Sequence, residues 1–244
     1  MKIERHGAVF NFFQTERVGD VTIRMSMIDG FAGLRKDLQR VTKNAIEQTS
    51  RHLSLHELTI RIKNDPKKVI PGHAHAGWTH SAKDVQIKLN PNFSDKKHLL
   101  QGEFPRSVSH ELHHAVRNKA LPGEKRSLGS ALIKEGLATV FETEVWGGTP
   151  SDWAKPLSKE QMQSLLEKVI VESEDPNYNH GRWFFGTSDL PRWAGYSIGV
   201  SLIKEYIRLH PNETAATLVA TSASAILDEL KQTILRKKDE KPSL

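Results

Sequence analysis

Apolar and polar residues alternate along this chain at two spacings, and each spacing predicts a different element. Leu58, Ile60 and Ile62 alternate with Thr59, Arg61 and Lys63, and Val85, Ile87 and Leu89 alternate with Gln86 and Lys88. A period of two sends one set of side chains to a buried face and the other toward water, so both runs predict strands. Asn90-Pro91 stops the second run. Ala8 to Phe13 and Val21 to Ile28 predict two more short strands. Between them and Leu58, apolar residues recur every three or four positions (Leu34, Leu38, Val41, Ala45, Ile46), which predicts an amphipathic helix from about Ala32 to Leu53.

From Ser94-Asp95, a helix-start signal, the pattern becomes mainly helical. Helices are predicted over 95–102, 105–119, 127–146, 158–173, 193–209 and 212–234, the last divisible in two. Residues 174–192 are irregular and rich in aromatics, Gly and Pro. A loop of that length in a compact domain is functional or mobile. Arg236 to Pro242 reads as a frayed, solvated tail. No repeat or low-complexity block interrupts the chain. The fold class expected is α+β: a small mixed sheet with a long helix, followed by a mainly helical half.

Composition narrows the chemistry. The 244 residues include no cysteine and twelve histidines. Disulfides, Cys-based zinc ribbons, thiolate iron–sulfur clusters and a cysteine nucleophile are excluded, so any metal must be held by His and carboxylates. No apolar stretch approaches ~18 residues, so no membrane partner is expected. Met-Lys-Ile-Glu-Arg-His leads into no apolar h-region, and the expected compartment is the cytoplasm. The net charge of +6 is spread thinly. The basic stretches Lys96-Lys97 and Arg236 to Lys238 carry no interleaved aromatics, so no nucleic-acid partner is expected.

Residues 110–114 read His-Glu-Leu-His-His, and His110, Glu111 and His114 fit H-E-x-x-H. Composition alone gives about 0.04 chance matches to that pattern in a chain of this make-up. Positions i and i+4 stand one turn apart on one helix face, where two imidazoles can hold one Zn²⁺. Glu111 can then serve as general base toward water. Zinc of this kind needs a third protein ligand. Glu135 lies 21 residues after His114 on the next predicted helix, and a turn at Leu121-Pro122-Gly123 returns it toward the pair. The longer pattern ending in a third histidine needs His at position 120, which is Ala120. His113 lies about 100° round the helix from its neighbours, a packing or ligand-supporting position rather than a ligand.

The sequence Ser109-His-Glu-Leu-His-His-Ala-Val-Arg117, followed by Ala131-Leu-Ile-Lys-Glu-Gly-Leu-Ala138, resembles the gluzincin zinc metallopeptidases. It resembles more closely the YjaZ-like group of predicted Zn-dependent proteases, which also carries a Gly-Tyr-x-x-Gly segment, here Gly195 to Gly199. The resemblance runs from about Ile70 to Tyr206. It implies a zincin-like architecture and one Zn²⁺ held by His110, His114 and Glu135, with Glu111 as base and a peptide or protein as substrate. It implies Tyr196 as a donor to the oxyanion, with His180 as the competing candidate. The thermolysin-like branch has an Asp four residues after its glutamate ligand; here that position is Thr139, with Glu142 as the other residue able to orient a ligand histidine.

The expected organisation is a 1–104 α/β subdomain with a substrate-side edge strand and a 105–244 helical subdomain carrying the zinc site, with a cleft between them. Ala74 to Thr79 or Val85 to Leu89 would be the edge strand. His73, His75 and His80 form a second histidine cluster, with no carboxylate at a recognisable spacing to make it a metal site. Two other functions fit the same motifs: a zinc hydrolase of a non-peptide substrate, and a catalytically silent metallopeptidase fold used as a binding or sensor module.

Overall fold

The two alternating runs are the centre of a six-stranded sheet in the computed structural model, which describes residues 2–6, 9–26, 33–70, 72–148, 151–155 and 157–239. The strands are β1 (Lys2–His6), β2 (Val9–Val18), β3 (Val21–Ser26), β4 (Leu58–Asn64), β5 (His75–Ser81) and β6 (Asp84–Leu89). Their spatial order is β1-β2-β3-β4-β6-β5. β4 is parallel to β3 and to β6, and the other pairs are antiparallel. The mixed sheet was therefore legible. β1 was not read, and Ala8, Met27 and Ile28 lie outside the described residues.

Register turns the alternation into rows. Ile23, Ile60 and Val85 stand side by side across three strands, as do Met25, Ile62 and Ile87. All six are buried. Partners directly opposite each other share a face, so the rows continue into β5 through Thr79 opposite Val85, Gly77 opposite Ile87 and His75 opposite Leu89. Where the apolar rows reach the edge of the sheet, the sequence turns to His, Gly and Thr. Of the two strands considered as the edge, only β5 is one; β6 is flanked on both sides, which is why its Val-x-Ile-x-Leu pattern is so apolar.

Helix α1 (Arg35–Ser50) crosses over between the parallel strands β3 and β4, burying Leu38, Val41, Ala45 and Ile46. The region expected as a helix over 95–102 is a single turn, α2 (Lys96–His98), running through a π-helical turn (Leu99–Glu103) directly into α3 (Phe104–Ala120). Pro105 has no N–H to offer the carbonyl of Gln101, and a π turn is where a helix absorbs such a mismatch.

The chain forms two compact units, Met1–Lys119 and Ala120–Leu244. The division falls at the last residue of α3, so α3 belongs almost entirely to the first unit. The reason is specific: Thr49 Oγ1 donates to Ser109 Oγ at 2.9 Å and Thr79 Oγ1 to the Glu111 carboxylate, tying α3 to α1 and β5.

The second unit is helical: α4 (Leu128–Trp146), α5 (Lys159–Glu172), α6 (Ala194–Leu209) and α7 (Ala223–Asp239). Ser127 caps α4 by accepting from Ser130 N, and Ser158 with Gln161 forms a capping box on α5. Residues 212–222 are not part of the last helix. Thr214 and Thr217 bond reciprocally to each other's backbone N–H, which closes a turn and then a short 3₁₀ segment, Thr217–Ala220. α7 takes in Arg236–Asp239 of the expected tail, and residues 240–242 lie outside the described residues. The irregular segment is pinned rather than loose. Trp183 and Phe184 are fully buried in a π turn (Gly181–Phe185), and Arg182 grips Asp189 through two bonds and Glu172 through a third. No helix among the described residues is long and apolar enough to cross a membrane.

Candidate metal centre

α3 buries Phe104, Val108, Leu112 and Ala115 at helical spacing, and also Ser109, His110, Glu111, His113 and His114. A helix that buries this much polarity needs partners or a ligand for it. The His110 and His114 rings lie edge to face with centroids 4.6 Å apart, as expected for i and i+4. His113 is fully buried, edge-on to His114 at 6.5 Å.

Glu111 is held from β5. Thr79 Oγ1 lies 2.5 Å from Glu111 Oε2 and 3.0 Å from its backbone carbonyl oxygen. A hydroxyl has one proton, and the shorter, charge-assisted bond takes it. An added Cβ at Gly77 would stand 2.3 Å from Glu111 Oε1 and 2.7 Å from its Cγ. Gly77 is therefore bare because the carboxylate occupies its side-chain space. Neither Thr79 nor Gly77 was singled out from the sequence, because the β5 face that carries them with His75 has no apolar row to mark it. Gly77→Ala is expected to push the carboxylate aside and lower any turnover that depends on it by about tenfold or more. Metal content should not change. Parallel steady-state kinetics and metal analysis check this, and an unchanged kcat would mean that Glu111 is not needed where it lies.

Glu135 is on α4, half-buried. His110, His114 and Glu135 each offer one ligand atom, and these atoms lie within 4.8 Å of one another. Zinc ligands at ~2.0–2.2 Å from one ion stand roughly 3.3–3.6 Å apart, which fits within that limit. Two imidazoles and a carboxylate are also a donor set zinc accepts, so the residues fit the ion. Among the described residues this is the one group of three or more His, Asp or Glu that meets this criterion.

The surroundings of Glu135 on its own unit are charged and aromatic. Burial lowers the His180 pKa, against an opposing pull from Glu135. Burial raises that of Tyr178, with Arg126 working the other way and Glu135 adding to the rise. Tyr178 Oη lies 3.3 Å from His180 Nδ1, and the Arg126 guanidinium sits 5.9 Å from the Tyr178 ring. Tyr178 and Arg126 escaped the sequence reading, although Tyr178 stands two residues from His180. His180 stacks on Phe184 at 4.4 Å, and Phe184 meets Tyr196 edge-on at 5.1 Å. Tyr196 is half-buried in the first turn of α6, also edge-on to Trp193.

The motif glycines have a packing reason. A Cβ at Gly136 would stand 2.4 Å from Gly199 backbone atoms, and one at Gly199 would stand 2.3 Å from the Leu132 carbonyl oxygen. Glu-Gly-Leu-Ala and Gly-Tyr-x-x-Gly are thus the two sides of one close helix crossing, α4 on α6. Gly195 makes room for the Phe184 ring, 2.8 Å from where its Cβ would be. Of the two residues considered for orienting a ligand histidine, Glu142 is fully buried and accepts from Ser151 Oγ at 2.5 Å. The Thr139 hydroxyl is buried with no hydrogen-bond partner among the described residues.

Residues 38–228 match the model of the family described as "Predicted Zn-dependent protease (DUF2268)". A 150-residue stretch is 30% identical to the YjaZ protein of Bacillus subtilis (strain 168). That match covers 57% of this chain and 57% of that protein, so the chain spans little more than half of its relative's length. Among solved structures, an aminopeptidase N family protein from Idiomarina loihiensis is similar with a TM-score of 0.47 and 12% identity, over 91% of this chain and 44% of that one.

Proposed function

This chain belongs to the family of predicted Zn-dependent proteases, and from that premise we propose that it is a zinc metallopeptidase, hydrolysing peptide bonds in a peptide or protein substrate. The observation that carries the reading is the convergence of ligand atoms from His110, His114 and Glu135 beside a buried glutamate held by a hydroxyl. In this reading those three residues hold one Zn²⁺. When bound, the ion acts as a Lewis acid that acidifies water and polarises a carbonyl group.

The chain's own residues do the rest. Glu111 takes the proton of the attacking water and returns it to the leaving amine. The Thr79 hydroxyl fixes the plane of that carboxylate, and Gly77 leaves it room. Tyr196 or His180 donates a hydrogen bond to the oxygen on which negative charge develops. Burial holds His180 below the usual imidazole range, so the ring is neutral near pH 7. If Tyr178 Oη donates to Nδ1, the ring proton sits on Nε2, and Nε2–H becomes a donor.

The test is direct. Purified protein loaded with one equivalent of zinc is incubated with a mixed peptide library and a denatured protein, and new termini are read by mass spectrometry. Cleavage that stops with a zinc chelator and returns on adding zinc is the expected result. Stable zinc binding with no cleavage of any peptide, but turnover of a non-peptide amide or ester, would overturn the peptidase reading.

A further inference from the structure

We infer that Glu103 and Ser107 are positioning residues: through His75 they clamp the edge strand β5 onto α3, and this sets the place of Glu111. The inference rests on the reading of Glu111 as base.

β5 is bonded to the sheet along one side only, through β6, and its regular pairing breaks between Thr79 and Ser81. A strand bonded on one side only, with a break in its pairing, opens more easily than an interior strand, and a second attachment on its face opposes that. The inner face of β5 supplies one. His75 is fully buried, and burying an imidazole is costly unless its ring nitrogens are met. Its Nε2 meets Ser107 Oγ at 2.5 Å, and its Nδ1 lies 3.5 Å from Glu103 Oε2, an ion-pair distance rather than a hydrogen bond. The other carboxylate oxygen of Glu103 receives His73 Nδ1 at 3.0 Å and His98 Nε2 at 3.4 Å. Burial works to raise the pKa of Glu103, but the His73 bond and the nearby His75 ring outweigh it and keep the group a carboxylate.

Ser107, His75 and Glu103 have the order of a hydrolytic serine relay. Ser107 is 5% exposed and His75 0%, so no substrate reaches the hydroxyl, and the arrangement is structural. Its geometry states its use. Ser107 and Glu111 are i and i+4 on α3, one turn apart on one face. His75 and Thr79 are four apart on β5, again on one face. His75–Ser107 and Thr79–Glu111 are therefore two rungs between the same helix face and the same strand face. Loosening the first rung lets the strand shift at the second, where Gly77 and Thr79 define the space around the carboxylate. This also gives the cluster His73 and His75 a partner the sequence could not show: Glu103 lies 28 residues after His75 and reaches it only through the fold.

The experiment compares Glu103→Gln and Ser107→Ala with the wild type. Amide hydrogen exchange of the metal-free protein is read over residues 75–79 and, for reference, over β3 and β4. Exchange in 75–79 is expected to rise about tenfold in both variants, with β3 and β4 nearly unchanged. In the zinc-loaded protein kcat is expected to fall about tenfold with KM within threefold, and zinc to stay at one per chain. Ser107→Ala deletes a single hydroxyl and keeps the test alive if Glu103→Gln does not fold. Unchanged exchange in 75–79, or exchange raised equally in every strand, would overturn the clamp. So would a second equivalent of zinc in the wild type that Glu103→Gln loses, which would make the cluster a metal site. A wild-type protein that cleaves nothing overturns the peptidase reading instead, and the exchange measurement still decides the clamp.

Discussion

Glu111→Gln is expected to lower turnover by about 10²–10⁴-fold while leaving one zinc bound per chain. The substitution is close to isosteric. The glutamine carbonyl oxygen can still accept from Thr79 Oγ1, and the side chain still fits the space beside Gly77, so the shape around it is kept. What it loses is the basicity that lets residue 111 take a proton from water. A loss of 10²–10⁴-fold corresponds to about 3–5.5 kcal/mol of transition-state stabilisation, the scale of a removed general base and far above that of one neutral hydrogen bond. Metal analysis is the essential companion measurement. A variant that loses both zinc and activity would assign residue 111 to metal retention rather than to proton transfer. A fully active variant would place the base elsewhere.

The second large effect is on stability. Gly199→Ala, and independently Gly136→Ala, are expected to destabilise the protein by about 2–4 kcal/mol, with overpacking outweighing the ~1 kcal/mol that alanine gains over glycine in a helix. The atoms in the way, Gly199 backbone atoms in one case and the Leu132 carbonyl oxygen in the other, are backbone and cannot swing aside as a side-chain end can. Helices α4 and α6 must therefore move apart. For a chain of this size the loss amounts to a fall of roughly 5–15 °C in Tm. Gly33→Ala is the control: a Cβ there meets nothing within 4 Å, and little change is expected. Because Glu135 precedes Gly136, the crossing variants should also bind zinc more weakly, which a competition titration against a chelator would show. An unchanged Tm would mean that the two helices are not in backbone contact.

These two sets of variants also separate two kinds of information in the motifs. In His-Glu-Leu-His-His the residue types announce chemistry, and a helical spacing read from the chain alone places His110 and His114 on one face. In Glu-Gly-Leu-Ala and Gly-Tyr-x-x-Gly the glycines announce nothing until α4 and α6 are seen to cross at them. The same holds on the sheet. Alternation at Leu58–Ile62 and Val85–Leu89 was enough to find β4 and β6, because interior strands carry their apolar rows openly. β5 was offered only as one of two candidate edges, because its inner face carries His75, Gly77 and Thr79 in place of an apolar row. Those positions are polar or bare because of what α3 brings to them, which no local pattern encodes.

The sequence by itself determined the α+β class, the amphipathic helix α1, the helical second half, the restriction of any metal to nitrogen and oxygen ligands, and the pair of histidines with a glutamate between them. Each of these follows from composition or from periodicity within about one turn or one strand, the range over which neighbouring side chains share a face. Glu135, too, was a candidate from its spacing, and the structure adds that one ligand atom from each of His110, His114 and Glu135 lies within 4.8 Å of the others. The tertiary structure alone set Thr79 and Gly77 around Glu111, joined Tyr178 to His180, and brought the carboxylate of Glu103 to His73 and His75. These are contacts between segments far apart in sequence, or between side chains whose rotamers are set by packing. The information for them is spread over the whole core rather than written at the residues that meet.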